Sequence, residues 1–240
     1  MRIAVLSDIH GNLPALEAVL DALRPYDAVW QLGDIVGYGP QPNEVVARLA
    51  QENAGGVRGN HDAAALGMLD TDTFNDDARA ALEWTTDQLD SATRKWLAGL
   101  PQRAIDEPFT LVHGSPRDPT WEYVFTAGVA RSNLSSFDTD HCLVGHTHIP
   151  AIYREHNGRM EATEPTEGEA IELGSERVIA NPGSVGQPRD GDPRASAMLL
   201  DTDMRTLEWR RVEYPIEQVQ KLMSQHDLPP RLVRRLQYGM

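Results

Sequence analysis

Apolar and polar residues fall in blocks along this chain, and the pattern changes near Ile149. Before that point, short apolar runs alternate with stretches of helical periodicity. Arg2 to Ser7 holds Ile3-Ala4-Val5-Leu6 and predicts a buried strand. Leu13, Leu16, Val19, Leu20 and Leu23 recur at helical spacing, with Asn12 as N-cap, Pro14 in the first turn and Pro25 at the end. Asp27 to Leu32 predicts a second strand, Asn43 to Gln51 a helix, and Ala54 to Arg58 a short third strand. Phe74 to Gly99 predicts helix, with apolar positions at Ala78, Ala81, Leu82, Leu89, Trp96 and Leu97. Asp90 can cap a second segment there. Phe109 to Val112 and His141 to Val144 predict strands, with a short helix around Val129 to Leu134 between them.

After Ile149 the periodicity is that of strands. Ala151 to Arg154, Arg159 to Ala162, Ala170 to Leu173, Arg177 to Ala180, Ser196 to Leu200 and Leu207 to Val212 alternate over short lengths. Asn157-Gly158 is a hairpin turn signal. These segments predict antiparallel sheet, and the acidic run Glu161 to Glu176 predicts a solvated hairpin. Pro215 to Gln225 and Pro230 to Gln237 predict terminal helices. Arg231, Arg234 and Arg235 beside Leu228, Leu232 and Leu236 suggest an amphipathic helix docked on the body or on a second subunit, as in a homo-oligomer. With no linker or repeat, residues 1–240 are expected to form a single domain, with 215–240 as a helical appendage. The expected architecture is α/β, two sheets packed together and flanked by helices.

Composition narrows the classes of function. A chain of 240 residues with 40% hydrophobic content supports an ordinary core. No apolar run approaches a membrane span. The first apolar run meets Ser7-Asp8 at once and is too short for a signal-peptide core, so a cytoplasmic protein is expected. A net charge of −14 argues against broad binding to nucleic acid or anionic membranes. The lone Cys142 excludes an intramolecular disulfide and reads as a small buried hydrophobe.

Polar clusters follow the apolar runs. Asp8-x-His10, Gly33-Asp34, Gly59-Asn60-His61-Asp62, His113 and Gly145-His146-x-His148 each close a strand-like segment. Side chains at successive strand ends meet along one sheet edge, so the five clusters can converge. Taken singly, each has a plainer role: Asp8 in a loop, Asn60 in a turn, His113 in the core. Taken together, Asp8, His10, Asp34, Asn60, His113, His146 and His148 supply oxygen and nitrogen donors for two metal ions, with Asp34 counted twice. Without cysteine ligands, a closed structural zinc site is disfavoured.

In their order, these five blocks resemble the calcineurin-like metallophosphoesterase superfamily. Asn181-Pro182-Gly183-Ser184 adds similarity to its smaller bacterial and archaeal phosphodiesterase branch. The resemblance implies a four-layer α/β/β/α sandwich of two mixed sheets. It implies one metal on Asp8, His10, Asp34 and His148, and another on Asp34, Asn60, His113 and His146. The ions would be divalent manganese, iron, nickel or zinc. It further implies that His61 is the catalytic imidazole, oriented by Asp62. The expected activity is hydrolysis of a small phosphodiester by a metal-bridging hydroxide, with His61 assisting the leaving group. A protein phosphatase or a dinucleoside polyphosphate hydrolase could use the same site. A scaffold of the same fold, like the retromer subunit, predicts eroded catalytic residues, whereas His61 and every ligand are present here.

Candidate substrate contacts are Arg189, Ser184 and Tyr38; Tyr38, Trp121 and Tyr123 could line the pocket or equally serve in packing. The loop after Arg177 to Ala180 can lie at the same sheet edge. Gly183 and Gly186 there would let backbone N–H groups approach an anion, and Arg189 could grip phosphate oxygens in a fork or instead pair with Asp190 or Asp192. His141 and His156 are expected to be structural, and His226 a surface residue.

Overall fold

The computed structural model describes residues 1–240. The chain order is β1 (Arg2–Leu6), α1 (Leu13–Ala22), β2 (Ala28–Gln31), α2 (Pro42–Gln51), β3 (Gly55–Gly56), α3 (Asn60–Ala65), α4 (Asp76–Gln88) and α5 (Ser91–Ala98). Then come β4 (Arg103–Asp106), β5 (Phe109–Val112), α6 (Ala127–Asn133) and β6 (His141–Leu143). The rest is β7 (Ala151–His156), β8 (Arg159–Thr163), β9 (Ala170–Glu172), β10 (Val178–Asn181), β11 (Ala195–Asp201), β12 (Thr206–Val212), α7 (Ile216–Gln225) and α8 (Pro230–Arg235).

The strands make two six-stranded sheets, ordered β3-β2-β1-β11-β12-β9 and β4-β5-β6-β10-β7-β8. Each has a parallel portion, β1, β2 and β3 in the first and β5, β6 and β10 in the second. Each is extended by antiparallel strands. The layers follow from strand alternation. Ile3 and Val5 of β1 point between the sheets, where they meet Phe109, Leu111, Leu143 and Trp209. Ala4 and Leu6 point outward to Leu16, Val19 and Leu20 of α1 and Val45 and Leu49 of α2. On the second sheet, Leu143 faces inward while Cys142 and Val144 face outward under Ala130 of α6. Cys142 is fully buried, and burial pushes its thiol pKa up, so it packs as a hydrophobe. The result is the four-layer α/β/β/α sandwich.

Local signals act as expected at several joints. Asn12 Oδ1 accepts from the Ala15 N–H at 3.2 Å, and Asp90 Oδ1 from the Thr93 N–H at 2.7 Å. Asn157 and Gly158 both take positive φ, 50° and 76°, between paired His156 and Arg159. That is the backbone a two-residue hairpin needs.

Three expectations change. The acidic run Glu161 to Glu176 is not one hairpin: β8 lies at the edge of one sheet and β9 at the edge of the other. β10, expected in antiparallel sheet, runs parallel to β6 on one side and antiparallel to β7 on the other. Residues 54–58 give only the two-residue β3, because Asn60 to Ala65 turns at once into α3. His156 is exposed and lies 3.8 Å from Glu176. His141 is buried beside Phe109, and His226 is exposed against Trp84.

The C-terminal helices are not peripheral to the packing. Val219, Met223, Leu228, Leu232 and Leu236 belong to the same 33-residue cluster as α1 and α2. No helix is long and apolar enough to cross a membrane. Leu232→Ala, at a side chain 2% exposed, is expected to cost roughly 2–5 kcal/mol in denaturant unfolding. A cost near zero would mean that α8 is only loosely attached.

Candidate active site

The site lies at the C-terminal ends of the parallel strands, where open α/β sheets gather ligands. Asp8 and His10 follow β1, Asp34 follows β2, and Asn60 and His61 open α3 after β3. His113 follows β5, and His146 and His148 follow β6. Five of these residues sit in the left-handed region: Asp8 at φ 52°, His10 at 48°, Asp34 at 52°, His146 at 66° and His148 at 60°. Such a backbone costs on the order of 1–3 kcal/mol per non-glycine residue. The strain turns each side chain back over the sheet edge.

Two donor groups result. Asp8, His10, Asp34 and His148 form one, and Asp34, His113 and His146 form the other, with all atoms of a group within 4.8 Å. Asn60 joins the second through Oδ1, 3.0 Å from His113 Nε2. Asp34 Oδ2 faces both, at 3.7 Å from His10 Nε2 and 3.3 Å from His113 Nε2.

The hydrogen bonds around the ligands test whether the groups suit metal ions. His10 Nδ1 donates to the Val36 carbonyl at 3.1 Å, His113 Nδ1 to Leu32 at 2.8 Å, and His148 Nδ1 to Gln187 at 2.6 Å. A carbonyl only accepts, so each neutral ring carries its proton on Nδ1 and presents Nε2 as a bare acceptor. Two such acceptors, His10 Nε2 and His148 Nε2, face each other at 3.2 Å. Asp8 Oδ2 is used by the Ser7 hydroxyl at 2.7 Å and the His146 N–H at 3.1 Å. Its Oδ1 is buried without a hydrogen bond, 3.2 Å from His148 Nε2. Lone pairs converging in this way need a cation. Donors about 2.0–2.2 Å from one ion lie roughly 3 Å from one another. The residues therefore fit divalent metal ions.

The same atoms bind protons. Desolvation opposes charge on His113, but Asp34 and then Asp8 raise it to about 9. Desolvation, then Asp34, raise Asp8 to about 7 against the pull of His113. Desolvation pushes Asp34 upward, but His113 and His61 together hold it well below the usual carboxylate range. Burial lowers His10, His146 and His148 well below the ordinary histidine value.

His61 sits beside the donor groups in a cavity of about 120 Å³ that it shares with Tyr38, Trp121, Tyr123 and Arg189. Its backbone N–H donates to Asp34 Oδ1 at 2.9 Å. Its ring is held by Tyr38 at 4.4 Å, His10 at 4.9 Å and Phe74 at 5.0 Å between centroids. It also rests against Gly37, where a Cβ would meet Nδ1 at 2.6 Å. Burial lowers His61 to about 4.

Asp62 does not orient this imidazole as the resemblance implied. Its Oδ1 accepts from the Ile35 and Val36 N–H groups at 2.8 and 3.0 Å, and its Oδ2 from the Gly59 N–H at 3.0 Å. Asp62 thus ties the loop after β2 to the start of α3, and His61 Nδ1 has no hydrogen bond.

Ser184 also has another role. It is fully buried; its hydroxyl donates to the Asp8 carbonyl at 2.8 Å and accepts from the Gln187 N–H at 2.8 Å. Nor are the nearby N–H groups free for an anion. Gly183 donates to Asn181 Oδ1 at 2.8 Å and Gly186 to the Asp8 carbonyl at 3.0 Å. Asn181 donates to the Gly145 carbonyl at 2.7 Å. This loop braces the ligand loops against one another.

Arg189 pairs with neither Asp190 nor Asp192, which engage Arg211 and Arg194. Its guanidinium donates to Gln187 Oε1 at 2.9 Å and lies 5.8 Å from the Tyr38 ring. Sequence reasoning missed Ser7, Gly37, Phe74 and Gln187. Only Ser7, adjacent to Asp8, carried a positional signal.

Because His113 and Asp8 take up protons at the metal-binding atoms, protons and metal compete. Both folded values are raised, so competition is strongest at low pH and fades above about 9. Apparent metal affinity, measured by chelator competition, is expected to rise with pH by up to about tenfold per unit per proton. A flat profile between pH 6 and 9 would contradict ligation by His113.

Residues 1–205 match the calcineurin-like phosphoesterase superfamily domain. The chain is 47% identical to a metallophosphoesterase from Sphaerobacter thermophilus of known structure, covering 100% of this chain and 99% of that one with a TM-score of 0.93. It is 36% identical to an uncharacterised Methanocaldococcus jannaschii protein, over 99% of this chain and 98% of that one. Phosphodiesterase YfcE of Escherichia coli is 29% identical over 85% of this chain and 89% of its own length. With the convergent Asp, Asn and His donors, the match makes this chain a member of the calcineurin-like phosphoesterase superfamily, a metal-dependent phosphoester hydrolase.

Proposed function

We propose that the protein hydrolyses a small phosphodiester at a centre of two divalent ions drawn from manganese, iron, nickel and zinc. The observation that carries this reading is Asp34 Oδ2, set between His10 of one donor group and His113 of the other. One ion would be held by Asp8, His10, Asp34 and His148, the other by Asp34, Asn60, His113 and His146. When bound, the ions would supply positive charge for phosphoryl oxygens and a more acidic water.

The remaining chemistry falls to the chain's own side chains. His61 is spared from both donor groups, so its imidazole is available to the leaving oxygen. As a neutral ring it donates a hydrogen bond, and an arriving anionic phosphate raises its proton affinity. Tyr38, Phe74 and Trp121 wall the pocket and limit water. Arg189 offers N–H groups to the non-bridging oxygens, with Tyr38 beneath it. A cavity of about 120 Å³ holds the reacting phosphoryl group, with the rest of the ester outside it. The similarity to phosphodiesterase YfcE favours a diester.

Asp34→Asn should weaken both metals, whereas Asn60→Ala should deplete mainly one. Elemental analysis that finds two tightly held metals in Asp34→Asn would refute the bridging role.

His61→Ala should retain its metals and lose about 10²–10⁴-fold in turnover on esters with poor leaving groups. The loss should shrink on bis(p-nitrophenyl) phosphate, whose leaving group needs little protonation. Equal losses on both would assign His61 to charge stabilisation. Wild-type activity on no phosphodiester, with metals bound, would overturn the proposal.

A further inference from the structure

Two cavities meet at Tyr38, Asn75 and Arg189. One is the pocket of about 120 Å³ over the metal-binding residues. The other, about 1010 Å³, opens beside it between the start of α4 and the C-terminal helix α8. Ligand clefts for small molecules run to roughly 300–1,000 Å³. The small pocket suits the reacting phosphoryl group, so the rest of a substrate must extend into the large one.

The large cavity is lined by Arg189, Arg231, Arg234 and Arg235, and by only two acidic side chains, Asp76 and Asp77. Asp76 is tied to Arg79 at 3.1 Å. Arg189, Arg231 and Arg234 take part in none of the chain's ion pairs. Arg235 is the exception: its Nε donates to a carboxylate oxygen of Met240, which also lines the cavity. Burial, and next the charge of Arg189, lower Arg235 to about 10. This positive wall stands in a chain of net charge −14.

Helix geometry explains the gathering. Leu232 and Leu236 of the C-terminal segment enter the core. Arg231, Arg234 and Arg235, spaced i, i+3 and i+4, share the face toward the cavity. They lie beyond residues 1–205, which carry the family match.

We infer that Arg231 and Arg234, together with Arg189, form a subsite for a second phosphate, so that the preferred substrate is a small phosphodiester bearing a phosphate beyond the scissile one. Guanidinium forks match phosphate oxygens in geometry and charge. Arg189 lines both cavities and can contact the scissile and the second group at once. The inference rests on phosphodiester hydrolysis at the metal-binding pocket.

Thymidine 5′-(p-nitrophenyl phosphate) and its 3′-phosphorylated analogue test it on the metal-loaded protein. They share the scissile group and the leaving group and differ in the added phosphate. The native protein should favour the 3′-phosphorylated ester by about tenfold or more in kcat/KM, the scale of a charge-assisted hydrogen bond. Arg231→Ala/Arg234→Ala should bring that ratio near one, and Arg231→Lys/Arg234→Lys should keep part of it. A native ratio near one, or a ratio unchanged in the alanine variant, would overturn the subsite. Calorimetric titration with thymidine 3′,5′-bisphosphate and thymidine 5′-monophosphate reads the same preference without turnover. Preferred binding of the bisphosphate, lost in the alanine variant, supports the subsite even if neither ester is hydrolysed; that pattern would count against the hydrolytic reading alone. Hydrolysis of both esters with no preference in rate or binding would remove the subsite and leave hydrolysis standing.

Discussion

The structure is organised around a buried carboxylate that belongs to both groups of potential metal donors. Asp34 is 1% exposed, and burying an unpaired carboxylate is costly. Its oxygens are therefore divided. Oδ1 takes the His61 N–H, and Oδ2 is left to His10 and His113. This division places His61 and both donor groups in register. It also dictates residues with no chemistry of their own. A side chain at Gly59 would run into Asp34 Oδ1 and its backbone nitrogen, so only glycine lets the start of α3 approach the loop after β2 so closely.

Such a centre requires loops that hold their shape against strain. Five ligand residues adopt left-handed backbone, and the surroundings must over-determine that conformation. Three devices do so. The carbonyls of Val36, Leu32 and Gln187 fix histidine rings of three separate loops. Asp62 gathers the N–H groups of Ile35, Val36 and Gly59. Ser184 and Asn181, from the end of β10, reach across to Asp8 and Gly145. A loop from the second sheet thereby braces a ligand loop of the first, which ties the relative position of the sheets to the geometry of the site.

Much of this was legible in the sequence because the donors must follow apolar strands. Asp8, Asp34, Asn60, His113 and His146 each close such a run, and strand ends at one sheet edge leave little choice of location. The distribution of strands between sheets was not legible, since β8 and β9 look alike in pattern and lie in different sheets. β4 escaped because it is an exposed edge strand with little apolar alternation. α3 escaped because Gly59-Asn60-His61-Asp62 reads as a turn until Ala63 to Ala65 extend it as helix. The roles of Asp62 and Ser184 were misplaced for one reason. A short polar side chain in a tight loop is as readily spent on backbone N–H and carbonyl groups as on a substrate, and the folded arrangement of the loops decides which.

The charge distribution shows how an acidic protein can take an acidic substrate. The chain carries −14 overall, yet its carboxylates are mostly held at the surface or paired with neighbouring arginines. Asp190 and Asp192 satisfy Arg211 and Arg194, and so leave Arg189 unneutralised beside the pocket. Within a walled, low-dielectric pocket, one such cation acts more strongly than several at the screened surface. The long-range field therefore disfavours large polyanions, whereas the local field at Arg189, and beyond it along α8, favours a compact phosphate. On the proposed function, selectivity for small anions would arise from where the arginines are left unpaired rather than from the total charge.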